Sequence, residues 1–134
     1  MKPSSQVTVR VLIADDEKAF AEVLAEMVQI GGHEVVAIVH SGLEAIRSYR
    51  QHKPDVVLMD FAMSRLNGLT ACRNILSEDR GGRVLFISGL SDYVALEPAS
   101  SGALAVLQKP IEFTDLDRVL REAVSPRLLH PIAA

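Results

Sequence analysis

The chain of 134 residues carries a net charge of −3, and 49% of its residues are apolar. This length favours one domain, and this composition is typical of a folded globular protein rather than a disordered one. The acidic balance, with two Tyr, four Phe and no Trp, argues against a nucleic-acid binder, which needs cationic side chains and stacking rings. The lone Cys72 excludes an internal disulfide and a thiolate zinc site.

Neither a membrane span nor a signal region is predicted. No apolar run approaches the roughly 20 residues that a spanning helix needs, and residues 1–6 lack the hydrophobic stretch of a signal peptide. We therefore expect a cytoplasmic protein that does not bind a membrane.

Five short apolar runs alternate with helical patterns along the chain. The runs are Val9–Ala14, Val35–Val39, Val56–Met59, Val84–Ile87 and Leu104–Leu107. Most are rich in Val and Ile and do not alternate with polar residues, which favours strands buried on both faces of a parallel sheet.

The intervals between the runs have helical periodicity. The apolar positions of the first are Phe20, Val23, Leu24, Met27 and Ile30; of the third, Leu69, Cys72, Ile75 and Leu76; of the last, Phe113, Leu116, Val119, Leu120 and Ala123. Ser41 and Glu44 have capping-box spacing ahead of the second helix, and Thr114 is a candidate N-cap of the last. Residues 91–101 predict a short or kinked helix, because Pro98 interrupts the pattern.

Five β-α units in succession predict a parallel sheet with helices on both faces and right-handed crossovers. We expect the folded domain to span residues 7–124. Residues 1–6 form an N-terminal extension, and residues 125–134 form a C-terminal tail or linker stub.

Chemically active side chains follow four of the five predicted strands. They are Asp15, Asp16 and Glu17 after the first strand, Asp60 after the third, Ser88 after the fourth and Lys109 after the fifth. In an open α/β sheet, ligands bind outside the carboxyl ends of the strands. Three aspartates, one hydroxyl and one ammonium therefore meet at one edge of the predicted sheet.

Such a cluster of carboxylates needs a cation. Two carboxylates about 5 Å apart repel by roughly 3 kcal/mol at an effective dielectric of about 20, and Lys109 supplies a single positive charge. Mg²⁺ fits the rest, since it prefers oxygen ligands and commonly binds carboxylates together with a substrate phosphate. An ionised aspartate needs no general base to attack phosphorus. The cluster therefore predicts Mg²⁺-dependent transfer of a phosphoryl group to a carboxylate.

These residues resemble the receiver domain of two-component response regulators, in particular the chemotaxis-regulator type with a single domain. The resemblance rests on Ala14–Glu17, Leu58–Asp60, Met63, Asn67–Gly68, Ile87–Gly89, Gly102–Ala103 and Gln108–Pro110. It implies a flavodoxin-like (βα)5 fold with strand order 2-1-3-4-5. It also implies a signalling module that promotes its own phosphorylation and dephosphorylation but is not an enzyme in the ordinary sense.

The resemblance assigns a role to each residue of the cluster. Asp60 is the expected phosphoacceptor. Asp16 is the expected direct Mg²⁺ ligand, Asp15 holds metal-bound water, and the backbone carbonyl of Ala62 completes the protein's ligands. Lys109 pairs with the phosphoryl group.

The resemblance also implies a switch. Ser88 is expected to reach the phosphoryl group by a hydrogen bond and pull the loop that follows it, and a cis peptide at Pro110 is expected to aim Lys109 into the site.

Several positions depart from the family pattern. Ser64 stands where Pro is usual, Val106 where the switching aromatic ring is usual, and Ile111 where Phe is usual. Val106 cannot act as a rotating ring, so the usual readout is in doubt. Ala62 and Leu90 flank the expected approach of water and cannot orient it, which predicts slow loss of the phosphoryl group.

The resemblance implies a histidine kinase or phosphotransfer protein as phosphodonor, with Lys18, Ala21 and Ile111 as candidate contacts. The pattern leaves few residues for an effector domain, so we expect output by protein contact, a phosphate relay or a phosphate sink, from a monomer or weak homodimer. A receiver portion of a hybrid histidine kinase, a small haloacid-dehalogenase-type phosphatase and a flavodoxin remain as alternatives. The histidines lack metal-ligand spacing and are expected to be exposed, and Cys72 is expected in the core.

Overall fold

Five parallel strands form one sheet in the order β2-β1-β3-β4-β5. The structure is a computed structural model that describes residues 7–63, 65–89 and 101–125. The strands are β1 (Arg10–Ala14), β2 (Glu34–Val39), β3 (Val56–Asp60), β4 (Val84–Ser88) and β5 (Ala105–Gln108). The predicted flavodoxin-like strand order is confirmed, and each strand lies within a residue or two of its predicted position.

Two helices cover each face of the sheet in the described part of the chain. They are α1 (Lys18–Ile30), α2 (Gly42–His52), α3 (Gly68–Glu78) and α4 (Phe113–Ala123). One core cluster joins α1 and α4 to the sheet, and a second joins α2 and α3 to the opposite face. The central strands β3 and β4 are buried at every position, as expected for a sheet covered on both sides.

The buried face of α1 differs from the predicted stripe. Its buried residues are Ala21, Leu24, Ala25 and Val28, whereas Val23 and Ile30 are 49% and 74% exposed. The two alanines turn toward the sheet because their small side chains let the helix approach it closely. The apolar periodicity identified the helix correctly but placed its core-facing side one position away.

Side chains cap the starts of α2 and α3. The hydroxyl of Ser41 accepts a hydrogen bond from the Glu44 amide at 3.1 Å, as the capping box requires, and Asn67 caps α3 through the amide of Thr70 at 2.9 Å. The prediction for Thr114 is wrong. The first turn of α4 closes on the carbonyl of Glu112, so Thr114 already lies inside the helix.

The strand registers bring the predicted site residues to one edge. Ala14 pairs with Val39 and Met59, and Asp60 pairs with Ile87. Beyond the last paired residues, the amide of Asp15 still bonds the carbonyl of Val39, and the amide of Lys109 bonds that of Ser88. These hydrogen bonds between strands therefore fix the backbone at Asp15, Asp60 and Lys109, whose side chains form the site.

Some predictions lie outside the described residues. These are residues 91–100 of the predicted kinked helix and the roles of Ser64 and Leu90. The N-terminal extension and the tail beyond residue 125 lie there as well. Within the described residues, none of the helices has the length and apolar character that crossing a bilayer requires.

Candidate functional site

Three aspartates converge at the carboxyl ends of β1 and β3. One carboxylate oxygen from each of Asp15, Asp16 and Asp60 lies within 4.8 Å of the others. Asp15 and Asp60 are buried, at 0% and 5% exposure, whereas Asp16 is exposed. The predicted cluster therefore forms, with two of its acids inside the protein and one facing solvent.

The side chain of Asp15 is only half satisfied. Its Oδ1 accepts a hydrogen bond from the Glu17 amide at 2.8 Å, but its buried Oδ2 has no hydrogen-bond partner among the residues that the structure describes. Burial raises the pKa of this carboxyl and repulsion from Asp16 adds to it, while the Glu17 amide and Lys109 act in the opposite direction. A buried acceptor without a donor costs about 1–3 kcal/mol, so this oxygen is suited to bind a cation or a hydrogen-bond donor.

Asp60 ends β3 and has a strongly perturbed pKa. Burial and repulsion from Asp15 raise it to about 7, although Lys109 and the backbone amide of Ala62 oppose the shift. The start of α3 packs directly against this residue, since a Cβ added at Gly68 would lie 2.3 Å from the Asp60 carbonyl oxygen. Glycine at position 68 is therefore required for the helix to approach the acceptor strand.

Lys109 supplies the positive charge of the site. Its Nζ lies 3.9 Å from Asp15 Oδ2 and 4.0 Å from Asp60 Oδ1, beyond hydrogen-bond distance of either. The same Nζ lies 4.4 Å from the centroid of the Phe20 ring. The peptide bond between Lys109 and Pro110 is cis, as the resemblance implies.

The donor set fits a hard divalent cation. All three acids offer oxygen, the ligand that Mg²⁺ prefers. One ammonium faces three carboxylates, and the unpartnered Oδ2 of Asp15 belongs to this group. Burial is the largest cause of the raised pKa values of Asp15 and Asp60, and a nearby cation would stabilise the charged forms of both. These residues could therefore hold Mg²⁺.

The predicted switch residues occupy different environments. Ser88 is fully buried, and its hydroxyl donates to the carbonyl of Gly89 at 3.1 Å. Val106 is 8% exposed and packs in the core cluster of α2 and α3, and Pro110 is exposed. A cleft of about 160 Å³ lies beside Val106 and is also lined by Pro110 and Ile111.

The candidate partner contacts are only partly available at the surface. Lys18 is exposed and Ile111 is partly buried against the core of α1 and α4. Ala21 is fully buried, and a partner contact at this position stays a prediction. The alanine faces the sheet because α1 is rotated relative to the predicted stripe.

One histidine prediction is also wrong. His33 is buried, with its Nδ1 accepting from the Val9 amide at 3.0 Å. Its Nε2 therefore carries the proton and donates to Asp117 at 2.8 Å. Cys72 is in the core as predicted, and burial raises its pKa to about 11, so the thiol is not a nucleophile near neutral pH.

Two neighbours of the site were missed by reading the sequence. Phe20 was predicted only as a core residue, and His40 as an exposed one. Nδ1 of His40 donates to the backbone carbonyl of Asp15 at 2.9 Å, and Phe20 faces Lys109. The position of Phe20 in the first turn of α1 was an available signal, because helical side chains lean toward the helix N-terminus.

Comparison with known proteins decides the family. Residues 11–121 match the model of the response regulator receiver domain. The chain belongs to this family. Among curated receivers, CheY of Bacillus subtilis is 32% identical over 120 residues, covering 89% of this chain and 97% of CheY. The transcriptional regulatory protein PdtaR of Mycobacterium tuberculosis is 38% identical over 117 residues, which cover 87% of this chain and 57% of PdtaR.

Solved receiver structures have the same fold. A receiver domain from Clostridium thermocellum superposes with a TM-score of 0.81 at 26% identity, covering 88% of this chain and 94% of that one. The receiver of Thermotoga maritima CheB gives 0.76 at 30% identity, with 90% and 100% coverage. CheY of Borrelia burgdorferi, in a complex with CheX, BeF3 and Mg²⁺, gives 0.79 at 28% identity, with 87% and 93% coverage. The chain is therefore a receiver in both sequence and fold.

Proposed function

We propose that this receiver accepts a phosphoryl group on Asp60 from a histidine kinase or a phosphotransfer protein and signals through altered protein contacts. The observation that carries the proposal is the meeting of Asp60, Asp15 and Lys109 at one edge, with a buried carboxylate oxygen left without a donor. A purely structural ion cluster would pair its buried groups, whereas this one has capacity for further ligands.

Each residue has a distinct task in the proposed transfer. An Asp60 oxygen attacks phosphorus, and the bond between phosphorus and the donor's leaving atom breaks. The Lys109 ammonium, about 4 Å from Asp60 Oδ1, stabilises the charge on the transferring oxygens. Asp60 must be ionised to attack, so its pKa of about 7 makes a neighbouring cation important.

Asp15, Asp16 and Asp60, with the carbonyl of Ala62, are the proposed Mg²⁺ ligands. When bound, Mg²⁺ would neutralise these carboxylates and polarise the phosphoryl oxygens. Asp16 is the exposed member and is accessible from solvent without rearrangement of the core. The Borrelia burgdorferi CheY complex with BeF3 and Mg²⁺ supports this assignment by similarity.

Ser88 is the proposed sensor of the modified state. Its hydroxyl now donates to the Gly89 carbonyl, and we propose that it turns to a phosphoryl oxygen and releases that carbonyl. Val106, in the position of the usual ring, cannot report the change by ring rotation. Output would therefore depend on backbone movement after β4 and on the surface near Pro110, in a cytoplasmic monomer or weak homodimer.

The decisive experiment is incubation with Mg²⁺ and acetyl phosphate followed by intact mass. We expect one phosphoryl group per chain, sensitive to hydroxylamine as acyl phosphates are. The Asp60→Asn variant should gain none, and Asp115→Asn, at an exposed aspartate of α4, should behave like wild type. A wild type that gains no phosphoryl group in the presence of Mg²⁺ would overturn the proposal.

The same preparation separates a receiver from a phosphatase. Sustained turnover of an aryl phosphate, with no stable phosphoprotein, would favour the haloacid-dehalogenase-type alternative. A single persistent modification per chain would favour the receiver function.

A further inference from the structure

The Phe20 side chain occupies an unusual place beside the proposed phosphoryl site. Its ring belongs to the first turn of α1, and helical side chains lean toward the helix N-terminus. The N-terminus of α1 follows Asp15 and Asp16 directly, so the ring lies at the carboxyl edge of the sheet. Lys109 Nζ stands 4.4 Å from the ring centroid, which is within cation–π range.

The contacts of Lys109 make this ring important. The ammonium lies 3.9 Å from Asp15 Oδ2 and 4.0 Å from Asp60 Oδ1, which is too far for a hydrogen bond to either carboxylate. Besides these two long ion pairs, the aromatic face of Phe20 therefore supports the ammonium among the described residues. A long lysine side chain otherwise has many rotamers, and ordering it is entropically costly.

The kind of support also matters. A carboxylate holding the ammonium would accept its N–H groups, and those donors would then have to be released before a phosphoryl group could use them. A ring face attracts the charge electrostatically but is a weaker hydrogen-bond acceptor than a carboxylate, so the N–H donors are more easily released to a phosphoryl group. The ring is itself held in place, because Phe20 packs against the core cluster of α1 and α4.

We propose that Phe20 is a positioning residue, which holds the Lys109 ammonium beside Asp60 in a pose ready to receive phosphoryl oxygens. The inference rests on the proposed phosphorylation of Asp60. It assigns to a residue of α1 a role in the transfer step that is separate from its packing in the core.

The test compares three forms of the full chain. Phe20→Leu keeps an apolar side chain but removes the aromatic face, and Phe20→Tyr retains the face. Met27→Ala is the matched control, since Met27 is also a partly buried residue of α1 packed on the same core. Two readouts are needed: the NMR shift of the Lys109 ε-methylene protons, and the rate of modification by acetyl phosphate with Mg²⁺.

We expect the ε-methylene signals to lie upfield through the ring current in wild type, Phe20→Tyr and Met27→Ala. In Phe20→Leu they should move to the position of an ordinary lysine. Modification should slow about two- to fivefold in Phe20→Leu, the range that a partly exposed cation–π contact implies. Phe20→Tyr should restore the rate, and Met27→Ala should lower stability without slowing modification.

Other outcomes overturn the inference. Unchanged ε-methylene shifts in Phe20→Leu would show that the ring and the ammonium do not meet in solution. A wild-type rate in Phe20→Leu, or an equal loss in Phe20→Tyr, would reduce Phe20 to a packing residue. These outcomes differ from failure of the proposed function, in which the wild type itself is not modified while the NMR readout still decides the contact.

Discussion

The two ends of the sheet differ in how completely their buried polar groups are paired. At the carboxyl edge, formed by Asp15, Asp60 and Lys109, one buried oxygen lacks a donor within the described part of the chain and the ion pairs are long. At the amino edge, polar groups are paired at short distance. Asp55 accepts from the Arg10 amide at 2.9 Å, and His33 donates to Asp117 at 2.8 Å.

The amino-edge network extends through α4. Arg121 bonds Asp117 at 3.0 Å and also donates to the carbonyl of Gly31 at 3.0 Å. Burial opposes ionisation of Asp117, but the bonds from His33 and Arg121 outweigh it and hold its pKa below the usual value. At Asp60, by contrast, burial and repulsion from Asp15 outweigh the contacts that favour ionisation, so its pKa is raised. The amino edge therefore stabilises the fold, while the carboxyl edge keeps capacity for a ligand.

The largest expected effect is chemical and belongs to the carboxyl edge. Lys109→Met removes the cation that faces the phosphoryl oxygens and should slow modification by acetyl phosphate about 10²- to 10³-fold. Arg121→Met is the control at the amino edge, and it should lower the free energy of unfolding without slowing modification. Intact mass over time measures the first effect and urea denaturation the second. Equal rates of modification in Lys109→Met and Arg121→Met would contradict the assignment of the chemistry to the carboxyl edge.

The second prediction concerns pH and stability without metal. Because the pKa of Asp60 is raised to about 7 from 3.8, the folded state binds more protons than the unfolded state between these values. Stability should therefore fall as pH rises from about 4 to 8, by about 4 kcal/mol from Asp60. Asp60→Asn should lack most of this decline.

Added Mg²⁺ tests the cause of that decline. It should restore stability at pH 8 in wild type, since a ligand of the native state stabilises it, and it should do less in Asp60→Asn. Urea melts at several pH values with and without Mg²⁺ measure both effects. A wild-type stability that rises between pH 5 and 8 without metal would contradict the prediction.

The third prediction concerns the amino edge. Asp117→Ala leaves the buried His33 Nε2 without its acceptor and should cost about 2 kcal/mol of unfolding free energy. Modification of Asp60 should be unchanged, because Asp117 makes no described contact with the site. Asp115→Ala, on the exposed side of the same helix, is the control and should change stability little. If Asp117→Ala slowed modification as strongly as Lys109→Met, the two edges would be coupled.

The smallest expected effect comes from a variant that tests whether location at the carboxyl edge alone is enough to affect modification, or whether a group must also lack a hydrogen-bond partner. Ser41 is a satisfied polar residue at the carboxyl side of β2, where it caps α2. Ser41→Ala should cost about 1 kcal/mol and leave modification unchanged. Ser77→Ala, at an exposed hydroxyl near the end of α3, should cost less. Faster or slower modification in Ser41→Ala would show that the whole edge, rather than its unsatisfied groups, carries the chemistry.

Much of the fold and site was available from the sequence because it depends on local pattern. Unbroken apolar runs predicted the strands, and parallel pairing brings their carboxyl ends together whatever the details of packing. Asp15, Asp60, Ser88 and Lys109 could therefore be placed at one edge before any contact was known. The strand order and the cis bond at Pro110 came from resemblance to the family rather than from the residues themselves.

Other features depend on the rotation of each helix, on distances between elements and on which side chains meet in the folded protein. The apolar residues of α1 fit two neighbouring faces of the helix almost equally well, so the sequence pattern does not show which face is buried. Packing against the sheet turned Ala21 inward and left Val23 exposed. His33 became a buried donor only because Val9 and Asp117, distant in sequence, meet there. By contrast, the order of strands and polar residues along the chain was enough to predict which acids and which lysine share a site. Only the fold could leave Asp15 Oδ2 without a donor and set the ring of Phe20 against Lys109, because those features are distances between separate elements.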